Sequence, residues 1–263
     1  MKEVKFNDLT LQIHKIKDLI NDNIQTVINS NAFIKGNFVK QFEDNFKKYS
    51  NVEHAIGVSN GTDALLIAME SLNLKGEVLV QPTTYVASAS MIPRIGNDVK
   101  FIDVDEDSWQ ISLEHVEEKI SNESVGIIGV HLYGLVFDVE NISNFAKQNN
   151  LWMIEDSAQS HGAKINGLNT GTFGDIATYS FFPGKNLGAF GDAGAITTND
   201  DNLATLCRKL ADGGRLSKYE HEILGWNSRL DTIHAAVLDA KITLLEEWNI
   251  ERRKIAKIYD DTL

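Results

Sequence analysis

Apolar residues recur at two different spacings along the chain, and the change between them predicts its architecture. From Leu9 to Val27 apolar side chains return at helical spacing, and Val39, Phe42 and Phe46 do the same, so the chain should open with two amphipathic helices. Beyond these helices, short apolar runs bounded by turn residues indicate strands. The predicted strands are Ala55–Val58, Glu77–Gln81, Val99–Ile102, Val125–Val130, Leu151–Glu155, Thr178–Phe182 and Ala193–Thr198.

Helical patterns separate most of these strands. They are predicted at Thr62–Leu72, Tyr85–Ile95, Ser112–Ile120, Val139–Asn149 and Asn202–Leu210. Such alternation indicates an α/β fold, with a mainly parallel mixed sheet sandwiched by helices. A last helical pattern, with Asp231 as N-cap, runs to Leu263 and predicts one long helix. Residues 1–230 are therefore assigned to one domain, and 231–263 to a helix leading out of it.

Composition narrows the class of protein. The formal net charge of −12 over 263 residues argues against nucleic-acid or anionic-membrane partners, which require clustered Lys and Arg. No apolar run approaches the ~20 residues of a membrane span, and the N-terminal MKEVKFNDLT lacks the apolar part of a signal peptide. The single cysteine, Cys207, fits a reducing compartment, and its leucine neighbours favour a structural thiol. A cytoplasmic protein is expected.

One lysine stands in a setting suited to chemistry. Lys185 lies in a Pro-Gly-Lys-Asn loop between two predicted strands, with Phe181, Phe182, Leu187 and Phe190 around it. Loss of hydration can lower the pKa of an amine in such a place, so that it acts as a nucleophile or base. A solvated lysine in a hairpin loop is the alternative interpretation.

A strand-to-helix turn offers a place for an anion. Ser59, Asn60 and Gly61 follow a strand, and a helix begins near Thr62. Free amides at a helix N-terminus bind anions, and glycine lets the ligand approach the backbone closely. A capped helix without a ligand would have the same sequence.

Two further segments place polar or aromatic groups at strand ends. Glu155 and Asp156 end an apolar strand, where open α/β sheets bind ligands, and one carboxylate could pair with a cationic ring nitrogen or a metal. A metal is not expected, because too few oxygen ligands lie nearby and His161 has no second ligand at zinc spacing; His161 is interpreted as a hydrogen-bonded loop residue. Tyr85, predicted to open a helix, could stack on a flat ring or pack in the core.

The remaining motifs are excluded by spacing. The chain has no Walker loop, no dinucleotide-binding glycine fingerprint and no nucleophile elbow. What is left is an anion-binding turn, a strand-end carboxylate, an aromatic residue and a loop lysine. Pyridoxal phosphate requires a phosphate site, a carboxylate for its pyridine nitrogen and a lysine for its aldehyde.

Six ordered blocks carry a resemblance to a known family. They are SNGTDAL, PTTYVASA, VHLYG, EDSAQSHGA, SFFPGKNLGAFGDAGAITTND and GWNSRLDTIHAAVL. The chain resembles the DegT/DnrJ/EryC1/StrS family of pyridoxal-phosphate-dependent sugar aminotransferases. The resemblance implies the type I, aspartate-aminotransferase-like fold and a homodimer with active sites at the subunit boundary. The usual setting of such enzymes is polysaccharide biosynthesis or a glycosylated product.

The matching positions imply roles around the cofactor ring. Lys185 matches the Schiff-base lysine, and Asp156 matches the carboxylate partner of the pyridine nitrogen. Gln159 matches the residue that binds the ring hydroxyl, and Tyr85 matches the aromatic that stacks on the ring.

Other matching positions concern the phosphate. Gly61 and Thr62 match the phosphate-binding turn, and Ser180 matches a hydroxyl donor to the same group. Asn227 matches a residue that reaches the phosphate of the neighbouring subunit's cofactor. From spacing alone, Asn227 would be a loop residue leading to a helix.

The block after Lys185 also bears on the reaction. The form K-N-L-G-x-x-G-D-x-G-A and the KYEHE segment around Tyr219 resemble enzymes that aminate C-3 of a nucleotide-linked 3-keto sugar, with L-glutamate as donor. Amination at C-4 is the alternative, although those enzymes more often have T-T-G-E-G-G there. Family dehydratases carry His in place of Lys185, and Cys207 lies too far along the chain for a desulfurase-like role.

The length of the chain suggests one more alternative. Family subunits extend about a hundred residues further, as expected for a chain with a second, smaller domain. The resemblance therefore implies that most of the small C-terminal domain is absent here. A catalytically impaired, cofactor-binding or regulatory remnant is the resulting alternative, since loss of one wall of a cleft disturbs substrate positioning.

Overall fold

The computed structural model describes residue 5, residues 8–215 and residues 217–263. The N-terminal residues that argue against a signal peptide lie mostly outside this range. The helices are α1 Thr10–Ser30, α2 Asn37–Ser50, α3 Gly61–Ser71, α4 Ala87–Arg94, α5 Leu113–Lys119, α6 Val139–Gln148, α7 Asp201–Ala211, α8 Thr232–Ile242 and α9 Leu245–Thr262. The strands are β1 His54–Val58, β2 Glu77–Val80, β3 Asp98–Phe101, β4 Ser124–Val130, β5 Trp152–Asp156, β6 Lys164–Ile165, β7 Leu168–Asn169, β8 Ile176–Ser180 and β9 Gly194–Thr198.

One mixed sheet organises the described residues. Its strand order is β1-β9-β8-β5-β4-β2-β3. The strands from β8 to β3 are parallel to one another, whereas β9 runs antiparallel to both of its neighbours. The predicted α/β fold with a mainly parallel mixed sheet is confirmed. Because β4, β5 and β8 are parallel and adjacent, the residues that end them meet at one edge of the sheet.

Successive residues of a strand pack into apolar cores on opposite faces of the sheet. Ile154 packs in a core with residues of α3, α4 and α7, while its neighbour Met153 packs with residues of α5 and α6. Toward the β9 end, Ala177 and Tyr179 join a core with α2 and α8. Cys207 is fully buried in the first core, and burial raises the pKa of its thiol to about 11, as a structural thiol requires. Helices therefore cover both faces.

Helix α4 begins later than the sequence suggests. The prediction of a helix opening at Tyr85 was wrong, because the first helical residue is Ala87. The preceding residues form a turn in which the Tyr85 carbonyl accepts hydrogen bonds from the backbone N–H and the hydroxyl of Ser88. Tyr85 is therefore part of the strand-to-helix loop.

The long C-terminal helix of the prediction is in fact two helices. Helix α8 ends at Ile242 and α9 starts at Leu245, with Leu244 at φ −110° and ψ 0° between them. The break lets Leu245 join the core beneath α8 while Trp248 packs with residues of α1. Helix α8 is buried over nearly all of its length, whereas α9 is exposed beyond Asn249. The assignment of 231–263 to a separate unit stays a prediction.

A small hairpin was missed by the sequence analysis. Strands β6 and β7 pair antiparallel around Asn166 and Gly167, whose φ values are 50° and 83°. Asn-Gly is the dipeptide that favours a two-residue hairpin turn with positive φ at both positions, so the signal was present. No helix of the described residues is long and apolar enough to cross a membrane.

Candidate active site

A cavity opens at the carboxyl edge of β4, β5 and β8, beside the N-terminus of α3. Its volume is about 570 Å³. Seven of the eight residues proposed from the sequence line it: Gly61, Thr62, Tyr85, Asp156, Gln159, Ser180 and Lys185. These residues come from four separate segments of the chain and meet around one space large enough for a small ligand.

The N-terminus of α3 forms one end of the cavity. Asn60 caps the helix, its side-chain oxygen accepting a hydrogen bond from Asp63 N at 2.8 Å. The N–H groups of Gly61 and Thr62 belong to the first turn, where no intrahelical acceptor exists. A Cβ added to Gly61 would lie 2.7 Å from the Cβ of Ser180. Glycine therefore lets the helix end and the Ser180 hydroxyl share one small space, which suits a phosphate.

Asp156 supplies a buried carboxylate at the cavity wall. It is 5% exposed and accepts hydrogen bonds from Ser88 Oγ at 2.7 Å and from Ala158 N at 3.1 Å. Burial raises the pKa of Asp156, and the Ser88 and Ala158 hydrogen bonds and the charge of Lys185 offset only part of that rise. A carboxylate in this state gains from a cationic partner. Ser88, which the sequence analysis missed, lies four residues after Thr84 and shares a hydrogen bond with it.

Glu155, the other strand-end acid, has a structural role. Its carboxylate accepts 2.7 Å hydrogen bonds from the backbone N–H groups of Gly171, Phe173 and Gly174 and pairs with Nε2 of His131 at 2.9 Å. Burial alone would raise the pKa of Glu155, but His131 and these backbone donors together bring it below its ordinary value. The two neighbouring carboxylates therefore differ in role: Asp156 faces the cavity, whereas Glu155 binds the backbone of the adjacent loop.

We expect Glu155→Gln to lower the free energy of unfolding at pH 7 by about 3 kcal/mol, because one acceptor is lost from a buried, fully used carboxylate. The depressed pKa of Glu155 means that its contribution is present above the pKa of the unfolded chain and is lost as the pH falls through the folded-state pKa. Urea unfolding at pH 7 and at pH 4 or below measures both effects.

The difference between wild type and Glu155→Gln should therefore shrink in acid. Glu251→Gln is the matched control, since Glu251 forms an exposed ion pair with Lys254 on α9, and its expected cost is at most about 0.5 kcal/mol. Equal costs for the two variants at pH 7 would contradict the role given to Glu155.

Lys185 lies on the loop between β8 and β9, half-buried at the cavity wall. The loop is closed by hydrogen bonds from Lys185 N to Phe182 O at 2.9 Å and from Ala189 N to Phe181 O at 2.8 Å. Burial lowers the pKa of the Lys185 amine, and the nearby Asp156 charge raises it by a smaller amount. A larger share of neutral amine at neutral pH favours nucleophilic and basic chemistry.

Tyr85 and Gln159 complete the wall. Tyr85 is 68% exposed, so it faces the cavity mouth and is not the core residue of the alternative interpretation. The side-chain oxygen of Gln159 accepts a hydrogen bond from Tyr133 N at 2.8 Å, which leaves its amide N–H groups to donate to another partner. Phe182 and Asp192 also line the cavity, although the sequence did not single them out for it.

His161 differs from its expected role as a hydrogen-bonded loop residue. It is 2% exposed and lies between Tyr179 and Phe181, and neither ring nitrogen has a hydrogen-bond partner among the described residues. Burial, followed by the charge of Lys185, lowers its pKa to about 3. The ring is therefore neutral and contributes bulk behind the lysine loop. His161 is a turn residue, as expected, but its ring is buried beside the lysine loop.

Asn227 is the one proposed site residue that does not line the cavity. It pairs by backbone with Asp212, and its side-chain oxygen accepts a hydrogen bond from Arg229 at 2.6 Å. Within one chain it occupies the loop position that spacing alone suggested. Its assignment to a neighbouring subunit's cofactor stays a prediction.

The residues present fit pyridoxal phosphate, the cofactor implied by the resemblance. The α3 end and Ser180 suit its phosphate, the buried Asp156 suits its pyridine nitrogen, and the Lys185 amine suits its aldehyde. The strongest sign is the close approach of Gly61 to Ser180, since a Cβ at position 61 would lie 2.7 Å from the Ser180 Cβ and both residues line the cavity.

The comparisons with known proteins point to one family. The model of the DegT/DnrJ/EryC1/StrS aminotransferase family matches residues 14–263. A pleiotropic regulatory protein of Geobacillus stearothermophilus is 43% identical over 96% of this chain and 68% of its own length. The UDP-N-acetyl-3-dehydro-alpha-D-glucosamine 3-aminotransferase of Acidithiobacillus ferrooxidans is 38% identical over 97% of this chain and 70% of its own.

Solved structures similar to this chain share its fold. The structure of DesV from S. venezuelae, in complex with a ketimine intermediate, has a TM-score of 0.96 and 36% identity, covering 98% of this chain and 70% of that one. NtdA of Bacillus subtilis, solved with bound cofactor PMP, has a TM-score of 0.85 and 29% identity, covering 93% of this chain and 57% of that one.

Proposed function

The chain belongs to the DegT/DnrJ/EryC1/StrS aminotransferase family, and we propose that it moves the amino group of L-glutamate to C-3 of a nucleotide-diphosphate-linked 3-keto sugar. It is an aminotransferase, and its cofactor is pyridoxal phosphate. The observation that carries the proposal is the cavity that joins Lys185, Asp156 and the N-terminus of α3. The 3-aminotransferase relative of Acidithiobacillus ferrooxidans and the K-N-L-G block after β8 favour C-3 over C-4.

The proposed roles follow from the chemistry of each residue. The bound cofactor would supply an electron-accepting ring that stabilises negative charge on the substrate carbon. Gly61, Thr62 and Ser180 would hold its phosphate, and Asp156 would keep its ring nitrogen protonated. Tyr85 would cover one face of the ring, and a Gln159 N–H would donate to the ring hydroxyl.

Lys185 would have two tasks. Its amine, whose pKa is lowered mainly by burial, would hold the cofactor between turnovers. Freed from the cofactor by the amino donor, Nζ would remove the proton from the donor carbon that carries the amino group and pass it to the cofactor. In the second half-reaction it would take a proton from the cofactor and deliver it to the sugar carbon that receives the amino group. Glutamate leaves as 2-oxoglutarate, and the sugar carbonyl becomes a carbon bearing the amino group, so the exchange needs no oxidant or reductant.

A homodimer with shared sites is part of the proposal. The position of Asn227 outside its own chain's cavity is compatible with a contact to a second subunit. Exposed apolar side chains near the cavity mouth also suit a surface covered by another chain, Tyr85 being 68% and Phe182 55% exposed. Sedimentation at assay concentration tests this, and a stable monomer with full activity would contradict it. We also place the protein in the cytoplasm.

A second candidate is a regulatory or cofactor-binding protein of the same family without turnover. It is favoured by the name of the 43% identical Geobacillus stearothermophilus relative, a pleiotropic regulatory protein. Under both hypotheses the protein binds the cofactor. Only if the protein is an aminotransferase should the visible absorbance of the bound cofactor change when glutamate is added.

The decisive experiment follows the nitrogen atom. The purified protein is loaded with pyridoxal phosphate and given ¹⁵N-labelled glutamate with matched nucleotide-linked 3-keto and 4-keto sugars. We expect 2-oxoglutarate and a sugar carrying ¹⁵N at C-3, located by NMR. Label at C-4 would overturn the position, and absence of label from every sugar together with an unchanged spectrum would favour the regulatory candidate.

A further inference from the structure

Lys241 is a lysine held inside the protein on helix α8. It is 2% exposed, its ammonium donates a hydrogen bond to Gly188 O at 2.6 Å, and it lies 5.2 Å from the centroid of the Phe190 ring. Within the described part of the chain it has no carboxylate partner, and burial lowers its pKa to about 8. Its hydrogen bond and its ring contact thus both fall on the loop that follows Lys185.

Stability does not explain the presence of this lysine. A buried charge without a counter-charge is unfavourable. A methionine has a similar length and would fill the same space without that cost, and replacing buried charges by apolar residues is often neutral or stabilising. A buried lysine without a counter-charge is therefore a candidate for a role beyond folding.

The contacted carbonyl is the point where the lysine loop closes. A Cβ added to Gly188 would lie 2.4 Å from the carbonyl oxygen of Pro183, so the chain after Lys185 folds back on the residues before it. The next residue, Ala189, returns to pair with Phe181. Fixing the Gly188 carbonyl therefore fixes both ends of the turn that displays Lys185.

We propose that Lys241 is a positioning residue for Lys185, acting through its hydrogen bond to the Gly188 carbonyl. The inference rests on the proposed function of Lys185 as cofactor anchor. A second tie comes from α9, where Asn249 accepts a hydrogen bond from the Asn186 side chain at 2.9 Å. Helices α8 and α9 thus hold the loop from outside, while its inner side remains free for the cofactor.

The test uses Lys241→Met, with Lys254→Met as matched control because Lys254 is exposed and lies on the neighbouring helix α9. Hydrogen exchange of residues 181–190 is measured without cofactor, beside residues 124–130 of β4 as an internal reference. We expect about tenfold faster exchange in the loop alone, as for loss of one hydrogen bond, with the thermal midpoint unchanged or higher. Lys241→Gln, which retains an N–H donor, should recover part of the protection.

Cofactor affinity gives an independent reading. The dissociation constant for pyridoxal phosphate, measured by titration, should rise about tenfold in Lys241→Met, because the loop loses one hydrogen bond that holds it in place for the cofactor. It should not change in Lys254→Met. Unchanged loop exchange and unchanged affinity would overturn the inference while leaving the proposed function intact. A lower thermal midpoint with faster exchange throughout the chain would also overturn it, in favour of a structural lysine. Cofactor attachment at a residue other than Lys185 would overturn both proposals.

Discussion

Replacement of Lys185 by alanine should lower the rate of transamination by about 10³-fold or more, the range expected when a positioned general acid and base is removed. The half-buried amine lies at the cavity wall, with a pKa lowered mainly by burial. Its loss removes both the group that holds the cofactor and the group that moves the proton. The cofactor should still bind through its phosphate and ring contacts.

Covalent attachment provides a direct measurement. Borohydride reduction of the loaded wild type should add the mass of one phosphopyridoxyl group, located at Lys185 by peptide mass spectrometry. Lys185→Ala should show no such addition and should regain part of its proton transfer when a small primary amine is supplied. Lys254→Ala, at an exposed lysine of α9, is the control. A Lys185→Ala protein with the wild-type rate would refute the assignment.

Asp156→Asn should show a different pattern, with a large loss of activity and no loss of stability. The carboxylate is the one buried acid of the described residues that also lines the cavity and has a raised pKa, for which burial is the main cause. Asparagine cannot supply the negative charge that keeps a ring nitrogen protonated, so we expect a rate loss of about 10²-fold or more, the scale of losing one preorganised electrostatic contact.

The stability of Asp156→Asn should not fall together with its activity. A carboxyl with a raised folded-state pKa is penalised when ionised, so at pH 7 its replacement by a neutral amide should leave the free energy of unfolding unchanged or higher. Urea unfolding and steady-state kinetics on the same preparation separate the two effects. Ser88→Ala, which removes a hydrogen bond to Asp156, should cost less activity than Asp156→Asn. Equal activity of Asp156→Asn and wild type would exclude the proposed partner of the ring nitrogen.

The roles of Glu155 and Asp156 show how far sequence reasoning reaches at this site. Adjacent residues of a strand point to opposite faces, so the sequence predicts that one of the two acids enters the cavity and the other does not. Which one enters depends on the helices that cover each face of the sheet. The resemblance named Asp156 as the partner of the ring nitrogen, and the structure places Asp156 at the cavity and gives Glu155 the backbone donors of the loop at residues 171–174.

Helix boundaries show the same limit at the end of the chain. The apolar spacing from Asp231 onward fits a single helix, because local periodicity carries no information about which surfaces the residues meet. In the structure the segment breaks after Ile242, between the buried helix α8 and the largely exposed helix α9. The packing of α8 brings Lys241 to the Gly188 carbonyl, a contact across 53 positions of the chain that no spacing rule predicts.

The sequence by itself determined the α/β alternation, the residues that end each strand, and the ordered blocks that mark the family, because these depend on local periodicity and on residues adjacent in the chain. Only the tertiary structure decided that seven proposed residues share one cavity while Asn227 lies apart, that His161 is buried without hydrogen bonds at its ring, and that α8 contacts the loop of Lys185. These are long-range contacts, set by which elements pack together across the sheet. The lysine loop depends on both kinds of information. Its residues can be recognised in the sequence, whereas its orientation is set by the helices that pack behind it.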